Sequence, residues 1–414
     1  MGRVPIGLVG ERRRGRYLSL RSGGKAGAMR VLSGREGSQP ECTGESAAGL
    51  DGLERLHLIM GLQCNAGCIM CYQTEHGAEG NMPPALYAER LASAYPRVRT
   101  VKLQGGEPTI MRNCRELAAI LRAFPRVGIA LSTNGINLDT FWQETLLTHG
   151  EKVDVSLNAA SEGAYRNIVL RGNYRRAFEN VSALAAARQG KRPALAISLV
   201  ILKENLFELH DFVDLGNALG VDAVKFAVDP ILSFSGLPRR DEVLAEIGRV
   251  EEACRRSKIP VHGFESFGRR FGTSEKAAVA RPQRCRLPFG NLVVAANGEV
   301  RACVMTWQLL GNLYETPLEG IWNGPAARRL RAKVGSGDHS LCEPYCPENA
   351  NPSRLALARK YVSYIRRDPV YFVRKAHQKV RLLLRGSEPT ASANGALASS
   401  RQEVKEPGAS QAAR

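Results

Sequence analysis

The stretch LHLIMGLQCNAGCIMC, residues 56–71, decides the architecture of this 414-residue chain. Its opening segment, Leu56–Met60, is almost entirely apolar and predicts a buried strand. A loop with three cysteines, Cys64, Cys68 and Cys71, follows at once. Because parallel α/β sheets place their binding sites just beyond the carboxyl ends of the strands, we expect the three thiols to lie at that edge of a sheet.

These three cysteines form a set of soft ligands that suits either an iron–sulfur cluster or zinc. A structural zinc site uses four ligands, and no fourth one lies close to this loop in the sequence. A cubane cluster held by three thiolates, by contrast, keeps one iron open for another molecule. The spacing therefore favours a catalytic iron–sulfur cluster bound by Cys64, Cys68 and Cys71.

Downstream of the cysteine loop, short apolar runs alternate with longer helical patterns in six strand–helix units. The predicted strands are Leu56–Met60, Thr100–Leu103, Gly128–Ser132, Val153–Leu157, Ala194–Leu202 and Val221–Val228. The predicted helices are Pro84–Ala94, Asn113–Ala123, Leu138–Leu147, a helical stretch through Arg188, Leu206–Leu219 and Arg239–Arg255. This alternation predicts an α/β fold with a parallel sheet built from right-handed crossovers. Periodicity alone leaves an open doubly wound sheet and a partial barrel as alternatives.

The pattern Cys-x3-Cys-x2-Cys after the first strand of such a repeat resembles the radical S-adenosylmethionine (SAM) superfamily, over residues 53–256. The resemblance implies a partial (β/α)6 barrel of the TIM-like kind and a [4Fe–4S] cluster whose open iron chelates SAM. In that family the reduced cluster cleaves SAM to methionine and a 5′-deoxyadenosyl radical, which abstracts hydrogen from the substrate. We therefore expect an enzyme with SAM as its cofactor.

The resemblance also assigns SAM contacts near the first two strands. Gly105, Gly106 and Glu107 end the second strand and match the Gly-Gly-Glu motif that binds the methionine amino group in the family. Glu107 offers an acceptor for that ammonium, and the two glycines let the backbone approach a ligand closely. Tyr72 follows Cys71, at the position where the family places adenine contacts.

Polar side chains at the ends of the third and fourth strands are expected, by the same resemblance, to contact the ribose or the methionine carboxylate. They are Ser132, Asn134, Ser156 and Asn158. Arg171 is expected to bind the carboxylate through its bidentate guanidinium fork. The alternative for the serines and asparagines is ordinary capping and turn chemistry, which favours the same residue types.

A second group of cysteines follows a change of pattern after Pro282. Asn291–Ala296 and Glu299–Val304 flank the dipeptide Asn297-Gly298, a strong hairpin signal. The four cysteines of this region are Cys285, Cys303, Cys342 and Cys346. Their spacing resembles the SPASM/twitch extension of radical SAM enzymes, in its shorter form with one auxiliary cluster.

Four thiolates would complete the coordination of a second [4Fe–4S] cluster, which suits electron transfer rather than SAM cleavage. The alternative is a zinc site with four cysteine ligands. Three residues separate Cys342 from Cys346, where a gap of two is common in such domains. The remaining cysteines, Cys42, Cys114 and Cys254, are isolated and are interpreted as small buried apolar residues.

The net charge of +18 is concentrated at the two ends of the chain. Residues 1–30 carry +7 and residues 354–385 carry +9, so the basic pI describes the ends rather than the catalytic body. We therefore expect no nucleic-acid partner. The absence of a long apolar run or a secretory signal predicts a cytoplasmic protein.

Composition and motifs together predict five segments along the chain. They are a disordered basic stretch (1–50), the radical SAM barrel (51–260), the auxiliary cluster domain (281–350), a basic amphipathic helix (353–386) and a disordered tail (387–414). The basic helix suits peripheral contact with an anionic membrane. The alternative is a helix that packs its apolar face on the enzyme.

The primary functional hypothesis is reductive SAM cleavage followed by hydrogen abstraction from a small molecule that resembles a sugar or polyol, because twitch-type relatives often oxidise, epimerise or dehydrate such alcohols. A flavodoxin or ferredoxin is expected to supply the electron. A ribosomal-peptide maturase of the SPASM type and a non-catalytic metal-binding protein are the alternatives. No catalytic acid, base or hydrogen donor follows from residue spacing.

Overall fold

A single ten-stranded sheet organises the residues that the structure, a computed structural model, describes: 49–71, 80–188, 192–228, 239–264, 267–268, 285–342 and 346. All of them belong to one compact unit. Its strand order is β10-β9-β8-β1-β2-β3-β4-β5-β6-β7. Neighbours from β8 to β7 run parallel, and β9 and β10 add two antiparallel pairings at one edge. Tyr72 and the predicted basic helix 353–386 lie outside the described residues.

The ten strands are β1 (Arg55–Ile59), β2 (Thr100–Gln104), β3 (Gly128–Thr133), β4 (Gly150–Ser156), β5 (Ala194–Ile201), β6 (Ala223–Val228), β7 (Val261–His262), β8 (Asn291–Val294), β9 (Glu299–Arg301) and β10 (Gly311–Asn312). The α-helices of the described residues are α1 (Arg112–Leu121), α2 (Thr140–His149), α3 (Glu162–Ile168), α4 (Tyr174–Ala187), α5 (Leu209–Leu219), α6 (Arg240–Arg256), α7 (Leu318–Trp322) and α8 (Pro325–Gly335). All six predicted strands are present, with ends that shift by a few residues. The predicted fold class, an α/β partial barrel, is confirmed, and the barrel is not closed.

The two faces of the sheet differ in chemistry because successive strand residues point to opposite sides. One face is completely buried and apolar, as Leu56, Leu58, Val101 and Leu103 show, and it packs in one core with the helices. The other face is half-buried and largely polar. Its members on the central strands include His57, Lys102, Gln104, Ser132, Asp154, Ser156, Ser198 and Lys225. In a partial barrel this polar face is the interior.

The helix predicted over Pro84–Ala94 is wrong in form. The chain makes a π-helical turn over Ala85–Arg90 and continues as irregular turns. The Leu91 amide donates to the Leu86 carbonyl at 3.0 Å, a five-residue closure that places both leucines on the buried side. An α-helical closure would instead set these two side chains on different faces.

The predicted hairpin is confirmed in β8 and β9, with shorter strands, and it joins the barrel sheet directly. β8 pairs in parallel with β1, with Asn291 opposite Arg55. Without β8, the strand that leads to the cysteine loop would be an exposed edge with unpaired backbone groups. The predicted division into domains at residues 260 and 281 stays a prediction. β7 was not predicted, because two residues are too few to show periodicity.

No helix among the described residues is long and apolar enough to cross a membrane.

Two helical glycines provide a paired test of the packing around β6. A Cβ on Gly216, in α5, would overlap the Val224 side chain of β6, whereas a Cβ on Gly248, in α6, would meet no heavy atom within 4 Å. We expect Gly248→Ala to raise the free energy of unfolding by about 0.5–1 kcal/mol, and Gly216→Ala to lower it by about 1–3 kcal/mol through overpacking. Urea midpoints at unchanged slope measure both. Equal effects of the two substitutions would contradict the packing of α5 on β6.

Candidate iron–sulfur and SAM-binding sites

The cysteine loop leaves the carboxyl end of β1 and rests on the segment that follows α3. The Ile69 amide donates to the Ile168 carbonyl at 2.9 Å, and the Arg171 amide donates to the Ala66 carbonyl at 2.8 Å. Cys68 forms an antiparallel bridge with Val169 between these two bonds. The main chain around the predicted cluster ligands is therefore held by a short two-stranded contact, as well as by β1.

An apolar cluster lies beneath the loop, separate from the main core. Its members are Ala66, Ala159, Ala164, Tyr165, Ile168, Val169 and Leu202, with Cys64 and Cys68 half-buried against it. Burial, and then the neighbouring charges of Cys71 and Cys64, raise the pKa of Cys68 to about 12. Burial likewise raises the pKa of Cys64. The three thiols thus lie close enough to disfavour one another's ionisation.

This site suits an iron–sulfur cluster on the chemistry of its donors. Three thiolates in one loop are the donor set of such clusters, and a bound cation offsets the cost of ionising Cys64 and Cys68 in an apolar setting. Within the part of the chain that the structure describes, no three His, Cys, Asp or Glu side chains close on a single ion. Cys64, Cys68 and Cys71 are the residues that would hold the cluster.

Gly105 and Gly106 press the end of β2 against the chain that leads to Cys64. The Gly106 amide donates to the Gly61 carbonyl at 2.9 Å. A Cβ on Gly105, whose φ is +156°, would overlap the Gly61 carbonyl, and one on Gly106 would overlap the Gln63 carbonyl. We expected these glycines to admit a ligand; the close approach that they make in the structure is to the cysteine loop itself.

Glu107 is buried, and its carboxylate accepts four hydrogen bonds from its own chain. Oε1 accepts from the Thr109 amide at 3.0 Å, the Thr109 hydroxyl at 2.6 Å and the Thr133 hydroxyl at 2.7 Å. Oε2 accepts from the Asn134 amide at 2.6 Å. Burial raises the pKa of Glu107, and these hydrogen bonds act in the opposite direction. The carboxylate therefore joins the ends of β2 and β3, and its role as an ammonium acceptor stays a prediction.

Asn134 connects the end of β3 to the cysteine loop. Its side-chain amide donates to Asn65 Oδ1 at 2.7 Å, and its own Oδ1 accepts from the Ile136 amide at 2.9 Å. Asn65 lies between the first two cysteines and was not singled out from the sequence. Its position inside the cysteine loop was the one available signal. Together Glu107 and Asn134 give a continuous polar connection from β2 through β3 to the loop.

The other predicted strand-end contacts divide into two kinds. Ser132 and Ser156 are half-buried on the interior face, where a ligand can reach them. Asn158 is buried in the left-handed region, with φ +62°. Its Oδ1 accepts from the Val200 amide at 3.2 Å, and its carbonyl accepts from the Asn205 side chain at 2.9 Å. These contacts tie the end of β4 to the end of β5, and a SAM contact by Asn158 stays a prediction.

Arg171 lies beside the cysteine loop with an exposed side chain. A Cβ on Gly67, whose φ is +65°, would fall 2.9 Å from Arg171 Nε, so the guanidinium stem passes directly over the middle of the loop. This placement fits a contact with a molecule bound at the cluster, and the contact itself stays a prediction. Tyr72, predicted to contact adenine, falls outside the described residues.

The four cysteines of the second group lie near one another in the structure. Cys285, Cys303, Cys342 and Cys346 are all half-buried. Burial first, and then the charges of the other three thiols, raise the pKa of Cys342 to about 12. Burial raises the pKa of Cys303 in the same way, against a hydrogen bond from the Met305 amide. The four thiols, from distant points of the sequence, therefore lie near enough to affect one another's ionisation, and four cysteines in one region are the donor set of a closed four-thiolate site.

Backbone contacts gather these cysteines, and one buried histidine accompanies them. The Trp307 amide donates to the Leu341 carbonyl at 2.9 Å, beside a bridge between Thr306 and Cys342. His339 accepts a hydrogen bond from the Cys342 amide through its carbonyl. Its imidazole is buried, and neither ring nitrogen has a hydrogen-bond partner among the residues that the structure describes. An orphaned imidazole three residues before a predicted ligand fits a site that takes a further group.

The two cysteine groups lie at opposite ends of the parallel strands, the first at the carboxyl ends and the second at the amino ends. Cys64 follows the carboxyl end of β1, whereas Cys285 precedes β8, which runs parallel to β1. β9 then runs back antiparallel to β8, and the Asn291 side-chain amide donates to the Ala302 carbonyl at 2.7 Å. Cys303 therefore lies at the same end of the strands as Cys285. The five residues of β1 separate the two ends by roughly 13 Å. The polar interior face therefore lies between the two sites.

Two family models match the chain in these two regions. The radical SAM superfamily model matches residues 58–216, and the iron–sulfur cluster-binding domain known as SPASM matches residues 285–347. Together they cover more than half of the 414 residues.

Curated relatives are similar over part of their length. A probable GTP 3′,8-cyclase of Saccharolobus islandicus is 27% identical over 177 residues, 42% of this chain and 56% of the relative. One of Sulfurisphaera tokodaii is 28% identical over 178 residues, 41% of this chain and 54% of the relative. The chain thus spans just over half the length of these relatives.

Solved structures share the fold. SuiB of Streptococcus suis superposes with a TM-score of 0.53 at 17% identity, over 72% of this chain and 73% of SuiB. The protein anSMEcpe with bound AdoMet superposes with a TM-score of 0.50 at 14% identity, over 81% of this chain and 99% of that one. The first cysteine group lies in one matched segment and the second in the other. The chain therefore contains a radical SAM domain over residues 58–216 and a SPASM iron–sulfur domain over residues 285–347, and this pair of domains has SAM and two iron–sulfur clusters as its cofactors.

Proposed function

We propose that this chain is a radical SAM enzyme that cleaves SAM reductively at the Cys64–Cys68–Cys71 site and acts on a substrate held against the polar interior face. Reductive cleavage of SAM supplies a 5′-deoxyadenosyl radical that abstracts hydrogen from an unreactive C–H bond. The observation that carries the proposal is the continuous hydrogen-bonded connection of the cysteine loop to the ends of β2 and β3 through Gly106, Glu107 and Asn134.

The residues of this connection divide the work between binding and orientation. The glycines and Asn65 keep the loop against the strand ends, which fixes the main chain around the three thiols. Ser132 and Ser156 offer hydroxyl groups on that interior face. A radical intermediate requires a substrate that is placed accurately and kept from solvent, and the half-buried polar side chains of the interior offer partners for that placement.

The second cysteine group supports a role in electron transfer. Four thiolates complete a coordination sphere and leave no iron open for SAM. The second cysteine group lies at the amino ends of the strands, across the interior face from the first cysteine group at the carboxyl ends. We infer that Cys285, Cys303, Cys342 and Cys346 hold a cluster that exchanges electrons with the substrate or with a reductant such as a flavodoxin or ferredoxin.

The substrate class is broader than the sequence suggested. The relatives reported above are named for GTP cyclisation, and one SuiB structure is bound to its precursor peptide SuiA rather than to a sugar. We therefore widen the sugar or polyol class to any small polar molecule, whose fit is argued from the interior side chains below. A peptide maturase is the second candidate, favoured by the shared fold with SuiB. The proposed membrane contact of residues 353–386 rests on their basic sequence alone.

Substitution of the two cysteine groups separates their roles. The triple change of Cys64, Cys68 and Cys71 to Ala should remove about half of the iron and all SAM cleavage. The change of Cys285 and Cys303 to Ala should remove the other half, yet leave 5′-deoxyadenosine formation with dithionite. Iron analysis and chromatography of the reaction products measure both results.

The matched control is Cys254→Ala, which changes a cysteine of α6 that belongs to neither group and should keep all the iron. Zinc in place of the second portion of iron would refute the auxiliary cluster. SAM cleavage that survives the triple substitution would refute the assignment of the first site.

Glu107→Gln tests the connection between β2 and β3. The amide replaces one acceptor oxygen with a donor, which would face the hydroxyl and amide donors that now bind the carboxylate. Loss of charge-assisted hydrogen bonds of about 1.5–3 kcal/mol should weaken SAM binding at least tenfold, as calorimetry on the reconstituted enzyme can show. Thr109→Val is the matched variant, because it removes one hydroxyl donor and keeps the carboxylate. Unchanged SAM affinity in Glu107→Gln would contradict a role for this carboxylate in the site.

A further inference from the structure

The interior face of the central strands carries an unusual set of charged side chains. His57 lies opposite Lys102, Ser132 lies opposite Asp154, and Lys225 lies beside them on β6. Side chains directly opposite each other on paired strands point to the same face of a sheet. These groups therefore share the interior between the two cysteine groups.

Positive charge exceeds negative charge on this face. The half-buried charged side chains of the interior of β1–β6 are Lys102, Asp154 and Lys225, and the exposed ones at the strand starts are Arg55, Lys152 and Glu151, whose carboxylate accepts from the Thr100 hydroxyl. Four positive groups thus face two carboxylates, Asp154 and Glu151. Charges removed from water are costly unless they find a partner of opposite sign, so this interior is suited to receive an anion.

Both carboxylates of this face are already engaged, Glu151 by the Thr100 hydroxyl and Asp154 by two lysines. Lys225 forms an ion pair with Asp154, and Lys152 Nζ lies 4.0 Å from the same oxygen. Lys102, on β2, forms no hydrogen bond or ion pair with any described residue; burial lowers its pKa, and the charge of Asp154 acts in the opposite direction. Asp154 therefore attracts the Lys102 ammonium only from beyond ion-pair distance, and the N–H donors of Lys102 stay available to a bound anion.

His57, opposite Lys102, is in a similar position. Its Nε2 is buried and has no hydrogen-bond partner among the described residues. Burial, and then the positive charge of Lys102, lower the pKa of His57 to about 4. The imidazole is consequently neutral near pH 7, and it provides a hydrogen bond without adding or removing charge. Lys102 and His57 together form an unfilled site with one charge and one directional group.

We propose that Lys102 and His57 bind an anionic group of the substrate, a phosphate or a carboxylate, at the middle of the barrel interior. The proposal rests on the proposed function, since it gives the substrate class for the same site. Lys102 lies three residues before Gly105, so the anion is held about 10 Å below the strand end that faces the cysteine loop. The remainder of the substrate then extends toward the loop, where hydrogen abstraction takes place.

Binding of two simple anions to the reconstituted enzyme with SAM tests this site. Pyrophosphate and citrate serve as the phosphate and carboxylate probes, in calorimetric titrations at low salt. At least one probe should bind, and Lys102→Met should weaken that binding at least tenfold. Asp154→Asn should strengthen it, because this change removes the carboxylate that competes for Lys225 and Lys152. A purely structural role for Asp154 would not increase anion affinity.

Lys258→Met, at an exposed position between α6 and β7, is the matched control and should bind the probe as the unchanged enzyme does. If neither probe binds at millimolar concentration, or if Lys102→Met and Asp154→Asn both bind like the unchanged enzyme, the anion site is wrong. Formation of 5′-deoxyadenosine with dithionite, measured in parallel, reports on the proposed function independently. Cleavage without anion binding overturns only the anion site.

Discussion

The close approach of the end of β2 to the start of the cysteine loop is the constraint on which the rest of the site depends. It requires glycine at positions 105 and 106, because any Cβ there would overlap the carbonyl groups of Gly61 and Gln63. Once this contact forms, the Glu107 carboxylate is buried beneath the loop and collects its four hydrogen bonds. One of those bonds orders the end of β3, from which Asn134 returns to Asn65 inside the loop. A local backbone contact thus organises three strand ends around the thiols.

Much of the architecture follows from the sequence, because its signals are strong and local. Six apolar strands with intervening helical patterns specify a parallel sheet, and the three-cysteine loop has few alternatives in a chain of this type. The π-helical turn over Ala85–Arg90 could not be predicted, since it results from packing Leu86 and Leu91 on one side rather than from helix propensity. The pairing of β8 with β1 was also beyond the sequence, because pairing partners distant along the chain leave no periodic signal.

In the candidate site, the sequence predicted which residues come together better than it predicted what each of them does. The sequence indicated Gly105, Gly106, Glu107 and Asn134 as ligand contacts, and the structure places them together, but with many of their bonding groups engaged within the protein. Asn65 and His339 were missed, since an isolated asparagine or histidine carries no pattern that distinguishes it. Lys102 and His57 read simply as members of strands, and their shared interior position emerges only from the register of β1 and β2.

The proposed radical chemistry depends on two cysteine groups at opposite ends of the strands, with a polar interior face between them. Anaerobic reconstitution with iron and sulfide, followed by reduction with dithionite in the presence of SAM, tests this account most directly. The account predicts formation of 5′-deoxyadenosine and methionine in equal amounts. Full loading of both clusters without any 5′-deoxyadenosine would contradict it.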